Sequence, residues 1–259
     1  MKKLFLTLAA IVIAVTIHAQ RYEMTPSGNI SELTISVRNL YADFEIVGTN
    51  SERIRITAMD YEGLPEKAKG LKPLSATGPD NTDIGLYVKQ QGSEVTISGA
   101  SRKSDDGEYL IELPAKVKLV IEYDSFQAGD IKVRNMSGEV EASSKVGDME
   151  FDNITGPLVA SSLSSDISIV FSSVSQTSPT DIASTSGDVD VTLPEITKGN
   201  FQMKTVSGEV YTDLDFDFGE NESKPNFWGG GMSAEATLNG GGVQINLKSI
   251  SGDIFIRKQ

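Results

Sequence analysis

AGDIKVRNMSGEVEASSKVGDMEF, residues 128–151, holds three copies of one short unit: a glycine, an acidic residue, then an alternating strand. The unit recurs as TGPLVA (155–160), SSDISI (164–169), SGDVDV (186–191), SGEVYT (207–212) and SGDIFI (251–256). Gly129, Gly138, Gly147 and Gly156 are nine apart and Ser165 fills the next slot; gaps of 21 and 44 residues then separate Gly187, Gly208 and Gly252. Self-similarity at a fixed short period is the signature of stacked repeats.

Two and four residues after each slot stand Ile131 and Val133, Val140 and Ala142, Met149 and Phe151, Leu158 and Ala160, Ile167 and Ile169, Val189 and Val191, Val210 and Thr212, Ile254 and Ile256. Thr212 alone among them is polar. Between them lie mostly water-compatible residues such as Lys132, Glu141, Ser168 and Asp190. This is the period-two pattern of a strand buried on one face, not the spacing of three and four that an amphipathic helix needs. Nine residues are too few for a hairpin meander, but two such steps close a circuit of about 18 residues. The pattern predicts an all-β fold, a parallel β-solenoid of β-helix type, with two main sheets and coils about 4.8 Å apart. Slots 129, 147, 165, 187, 208 and 252 then mark one edge in that order, with two coils between 208 and 252 and Gly230 midway. At the turns Gly129, Gly138, Gly147, Gly156, Gly187, Gly208 and Gly252, glycine is expected to supply positive φ while the following acid accepts backbone N–H groups.

The first half shows the same grammar less regularly. Leu33–Val37, Phe44–Val47, Arg53–Ala58, Ile84–Lys89, Glu94–Ser98, Tyr109–Leu113 and Val117–Tyr123 alternate, with turn residues between them. No linker composition divides the chain, so residues 20–259 read as a single solenoid domain with irregular loops at about 60–83 and 219–231. Pro65–Lys69 is suited to one helical turn.

Residues 1–19 carry Lys2 and Lys3, an apolar run from Leu4 to Ile17 and a small residue, Ala19, at the end. They read as a cleavable signal peptide, the run being short for a membrane span. The expected destination is the periplasm, the exterior or the cell surface of a Gram-negative bacterium, without membrane insertion after cleavage. Removing two lysines and no acid takes the formal charge from −13 to −15. Such a field disfavours nucleic acid and anionic membranes.

The only histidine is His18, inside the signal segment, and there is no cysteine. The remainder cannot build a His-dependent triad, a cysteine nucleophile or an ordinary zinc site. Carboxylate, lysine, arginine and tyrosine chemistry is left, as in a polysaccharide lyase or glycosidase on a β-helix, which would need a groove holding a carboxylate with Arg or Lys on one sheet face. The acids after the turns (Asp130, Glu139, Asp148, Asp166, Asp188, Glu209, Asp253) are oxygen ligands of the type calcium takes, yet they lack the G-G-x-G-x-D pattern and read as turn caps. Asp213–Phe218 alternates acids with Leu and Phe and reads as a strand with an acidic outer face rather than a calcium loop. No catalytic, cofactor or metal-binding residue is assigned. Phe227 and Trp228, in the irregular second loop, are the candidate partner-binding residues, for an envelope protein or a glycan.

The repeated [ST]-G-[DE] units, Leu113-Pro114 before Val117-Lys118-Leu119, and Val37-Arg38-Asn39 before Phe44-Glu45-Ile46-Val47-Gly48 resemble an envelope-associated bacterial family called DUF4097, with an adhesin-like domain. The resemblance spans nearly all of residues 20–259. It implies a β-solenoid outside the cytoplasm and supplies no catalytic motif. The expected function is a non-enzymatic, adhesin-like or envelope-structural binding scaffold; the alternatives are a polysaccharide-active enzyme and a regulatory envelope module that binds a membrane-anchored partner.

Overall fold

The computed structural model describes residues 20–71, 73–127, 129–219 and 231–259, and the main chain of 226–228. The signal segment, Ala128, Gly230 and the side chains of Phe227 and Trp228 lie outside the described residues. In chain order the strands begin with β1 (Gln20–Met24), β2 (Thr34–Arg38), β3 (Asp43–Thr49), β4 (Ile54–Ala58), β5 (Leu86–Gln91), β6 (Glu94–Gly99) and β7 (Glu108–Pro114). The regular repeats follow as β8 (Lys118–Tyr123), β9 (Ile131–Arg134), β10 (Val140–Ser144), β11 (Met149–Ile154), β12 (Leu158–Ser162), β13 (Ile167–Phe171), β14 (Thr180–Ser184) and β15 (Val189–Leu193). The chain closes with β16 (Gly199–Lys204), β17 (Val210–Thr212), β18 (Asn226–Trp228), β19 (Gly231–Leu238), β20 (Gln244–Ser249) and β21 (Ile254–Lys258).

The strands form two sheets. The first runs β1-β4-β7-β3-β9-β11-β13-β15-β21-β17, the second β18-β19-β16-β20-β14-β12-β10-β8-β2-β6-β5. From β8 to β15 the chain alternates between the sheets and every neighbouring pair is parallel, which is the two-sheet β-solenoid that the periodicity predicts. In-register pairing stacks like on like: Met149 opposes Ile131 on one side and Ile167 on the other. Every residue two or four places after a slot is buried except Val210 and Thr212. Each such Ile, Leu or Val contributes about 1.5–3 kcal/mol by leaving water. The residue between them is exposed, as Lys132 and Ser168 are, or half-buried, as Glu141 and Asp190 are.

The acids after the turns tie the coils together at the entry to the first sheet. Asp43, Asp130, Asp148, Asp166, Asp188 and Asp253 form a ladder in which one carboxylate oxygen accepts the backbone N–H of the residue stacked next to it, at 2.8–3.2 Å. Glu209 ends that ladder. Behind it runs a buried hydroxyl ladder, Tyr123, Ser144, Ser162, Ser184 and Ser249, in register across the second sheet. Ser184 and Ser249 donate to the carbonyls of Ser165 and Gly187 at 3.1 and 3.0 Å, which satisfies these two hydroxyls, whereas Ser162 Oγ has no hydrogen-bond partner among the described residues.

The structure corrects the role given to the turn glycines. Of those seven, only Gly147 has positive φ (87°). The others are needed for space. A Cβ on Gly156 would lie 1.9 Å from the Gly138 carbonyl oxygen, and one on Gly252 2.3 Å from that of Gly187. Positive φ falls instead on asparagines: Asn135 (60°) and Asn153 (54°) turn the chain out of the first sheet, and Asn153 Nδ2 donates to Asn135 Oδ1 at 2.7 Å. A short polar side chain that tolerates the left-handed region makes this substitution for glycine possible.

The order of coils differs from the order of slots. β21 sits between β15 and β17, and β20 between β14 and β16, so Gly252 stacks between Gly187 and Gly208. The N-terminal end mirrors this: β2 lies between β8 and β6, and β3 between β9 and β7. Antiparallel strands close both ends, β4 and β1 beyond β7, β5 beyond β6, and β19 and β18 beyond β16. The interval from 208 to 252 therefore does not hold two stacked coils. The loop near 60–83 has one 3-10 turn at Glu66–Ala68.

Candidate functional site

The C-terminal end carries a groove of about 650 Å³ on the outer face of the second sheet. Its floor follows from strand alternation. In β16, Gly199, Phe201 and Met203 turn inward to the core, which sends Asn200 and Gln202 outward. β20 buries Ile245 and Leu247 and presents Gln244 and Asn246; β19 buries Ala234 and Ala236 and presents Glu235 and Thr237. Register brings these six side chains into two rows. Gln244, Asn200 and Thr237 form one, and Asn246, Gln202 and Glu235 the other.

The wall is the segment after β17. Asp213–Phe218, expected as a strand, is irregular apart from a single bridge between Asp217 and Thr237. Its side chains explain why: Leu214 is buried, and Phe216 meets the core ring of Phe201 edge-on with centroids 4.9 Å apart. The segment thus crosses the open end of the core, and alternation came from covering that end. It leaves Asp217, Phe218 and Gly219 on the rim of the groove, where Asp217 Oδ1 accepts the Gly219 N–H at 2.9 Å.

The polar groups of the floor are bonded to one another. Gln202 donates to Glu235 (3.2 Å), Gln244 to Asn246 (2.9 Å), Asn246 to Asp181 (2.5 Å) and Asn200 to the Gly242 carbonyl (2.8 Å). No Lys or Arg is among the described lining residues. One pleat further along the same face, Lys204 and Lys248 stand directly opposite each other and both are exposed.

Sequence reasoning did not find this groove. Its signal is present as outward amides at alternate positions, Asn200 and Gln202 in one segment and Gln244 and Asn246 in another. These segments are 44 residues apart, and only the inserted position of β20 makes them neighbours. Phe227 and Trp228, expected in an irregular loop, belong to β18, an edge strand antiparallel to β19 that pairs Trp228 with Gly231. A three-residue edge strand has too little length to show alternation. Of the post-turn acids, Asp130, Asp148, Asp166, Asp188 and Asp253 cap backbone N–H groups in one ladder that Glu209 ends, while Glu139 lies on the other sheet beside Lys118. Among the described residues no group of three or more His, Asp or Glu converges as a metal site.

The parallel two-sheet solenoid and its repeats define the class of the chain. The chain belongs to the Toastrack DUF4097 family, whose model matches residues 125–257. No curated protein matches the chain. Among solved structures it is similar to a candidate cell adhesion protein from Clostridium sporogenes, at 15% identity and a TM-score of 0.49, over 93% of this chain and 100% of that one. A candidate adhesin from Bacteroides fragilis aligns over 94% of this chain and 98% of its own, at 10% identity and a TM-score of 0.32.

Proposed function

We propose that the protein is an exported, adhesin-like binding scaffold that performs no covalent chemistry. The observation that carries this reading is the outer surface of the second sheet: a rigid, in-register strand wall with a groove of hydrogen-bonding amides and carboxylates. Residues 20–259 have neither His nor Cys, so neither a Ser-His nor a Cys-His nucleophile is available. The signal-like residues 1–19 support a place outside the cytoplasm. A specific observation favours a second reading, a polysaccharide-active enzyme. Glu235 and the pair Lys204 and Lys248 share one sheet face, so a carboxylate and two cations stand on the same wall.

Three measurements test the proposal together. Intact mass of the protein from its native host should show Gln20 at the N-terminus, and surface labelling of whole cells should reach it. Full-length protein retained in the cytoplasm would reject the exported scaffold. Incubation with neutral and acidic polysaccharides should release no oligosaccharide; release that disappears in Glu235→Gln would establish the enzyme instead. Phe227 and Trp228 are the edge-strand residues to probe for a protein or glycan partner. Trp228→Ala should leave the melting temperature nearly unchanged while weakening capture of envelope material. A strongly destabilised variant would show that the tryptophan covers core rather than contacting a partner.

A further inference from the structure

We propose that the groove between Phe218 and the β16, β19 and β20 strands binds an uncharged glycan. This rests on the scaffold reading and names the ligand class of its groove. The argument begins with hydrogen-bond balance. An amide N–H of each floor amide is already committed within the protein: Asn200 to Gly242, Gln202 to Glu235, Gln244 to Asn246 and Asn246 to Asp181. The two carboxylates of the lining, Asp217 and Glu235, are acceptors when ionised. Each amide keeps a second N–H, and the amide and carboxylate oxygens keep further lone pairs, so the lining both donates and accepts, with acceptors in excess. A ligand that complements it carries groups that do both, as hydroxyls do.

Charge then removes a polyanion and sets opposing terms against a polycation. A polyanion such as a phosphate chain or polyuronate brings acceptors to an acceptor surface and meets Asp181, Asp217 and Glu235 at close range. A polycation such as a lysine-rich peptide is favoured by those carboxylates. It is opposed by Lys204 and Lys248, which face each other one pleat away, and no ion pair among the described residues offsets them. A polymer of hydroxyls without charge is indifferent to both. It donates to the exposed amide and carboxylate oxygens in every orientation a hydroxyl can rotate into.

Shape and spacing agree. The volume, about 650 Å³, lies inside the range of ligand sites, roughly 300–1,000 Å³, and the groove is open at the surface, so a chain can pass through without an end being recognised. The two polar rows are separated by two residues along each strand, about 6.6 Å. That separation suits successive hydroxyl-bearing groups along a sugar chain. β16 and β20 are each held by a ladder on both sides, and β19 by the β16 ladder and the Asp217–Thr237 bridge, which limits the ordering cost of binding.

Titration of the purified chain against neutral tetrasaccharides of glucose, xylose and mannose, an oligogalacturonate and an oligolysine tests the assignment. At least one neutral tetrasaccharide should bind in preference to both charged probes. Gln202→Ala and Asn246→Ala should weaken that binding about tenfold or more with the melting temperature held. Ser168→Ala, on the opposite sheet, should leave it unchanged. Preference for oligogalacturonate or oligolysine, absence of neutral binding, or neutral binding that both groove variants retain would overturn the proposal. If the exported protein still captures envelope material while the groove variants behave as the parent, the scaffold reading stands and only the ligand assignment fails. Loss of surface exposure and capture in the parent itself would instead remove the scaffold reading.

Discussion

The middle of this molecule and its two ends use the same repeat in different ways. Between β8 and β15 sequence order equals stacking order, each strand has a parallel partner on both sides, and the inward positions two and four after each slot stack apolar residues on one another. At each end a coil is inserted out of order, β2–β3 at one and β20–β21 at the other, and antiparallel strands lie outside it. The difference teaches that a repeat fixes what can stack on what but not the sequence in which coils are laid down. The groove exists only because of the second arrangement, since β20 and β16 would not otherwise be adjacent.

The sharpest way to break the comparison is deletion. Removing residues 244–259 takes away β20 and β21, each flanked on both sides, and should abolish cooperative unfolding. Removing residues 20–24 takes away only β1, which pairs with β4 alone, and should lower the melting temperature by no more than about 5 °C. Calorimetry on the two truncations decides; equal losses would mean that the inserted coil is no more integral than the edge.

Charge burial gives the next largest contrast. Ile167→Asp in the central stack places an unpaired carboxylate among fully buried side chains and should cost about 4 kcal/mol or more. The same change at half-buried Val210 on the end strand β17 should cost about 1 kcal/mol, and at exposed Ser168 within about 0.5 kcal/mol of zero. Denaturant midpoints would measure all three.

Glycine separates the regions on a smaller scale. Gly156→Ala drives a Cβ to 1.9 Å from the Gly138 carbonyl oxygen, so two coils must part, at about 1–3 kcal/mol. Gly219→Ala, with φ of 63° and nothing within 4 Å, should cost only about 1 kcal/mol through backbone strain. A larger loss at Gly219 would reverse the space argument.

The smallest expected effects are in acid, and the two regions should move in opposite directions. In the centre, the hydrogen bond from Lys118 holds the Glu141 carboxyl below its usual range. Its contribution is therefore present above the ordinary carboxylate pKa and is lost as pH falls through the depressed value. Near the N-terminal end, burial pushes the Asp105 carboxyl up, so its charged form is penalised at neutral pH and relieved as pH falls through the raised value. Glu141→Gln should lower the melting temperature at pH 7 by about 1 °C or less, as expected of an exposed pair. Asp105→Asn should raise it at pH 7 and leave it unchanged in acid. The same sign at both sites would refute this assignment.

What was legible in the sequence follows the same division. The inward ladders from Ile131 to Val191 could be read because burial on one face imposes alternation and stacking imposes a period. Thr212, the single polar residue of the inward set, lies on β17, the outermost strand of its sheet, whereas Ile254 and Ile256 are buried in β21. That contrast was not decisive beforehand, because the units at Gly208 and Gly252 both carry the small turn and acidic cap needed to stack on Gly187. The hydroxyl ladder went unread, although Ser stands three residues before the slot at Ser144, Ser162, Ser184 and Ser249. The groove was not legible, since its amides become a surface only through pairing between strands remote in the chain.

The insertion of both end coils changes how the molecule bears tension. A simple stack peels from its termini one strand at a time, because the outermost strand has a single ladder to lose. Here a pull on the C-terminus engages β21, which is bonded to β15 along one edge and β17 along the other, so two ladders must yield together. A pull on the N-terminus strips β1 from β4 first and is then halted at β2 and β3, each held from both sides. Loaded by its ends, the fold should give way at one short lead strand and then resist as a block.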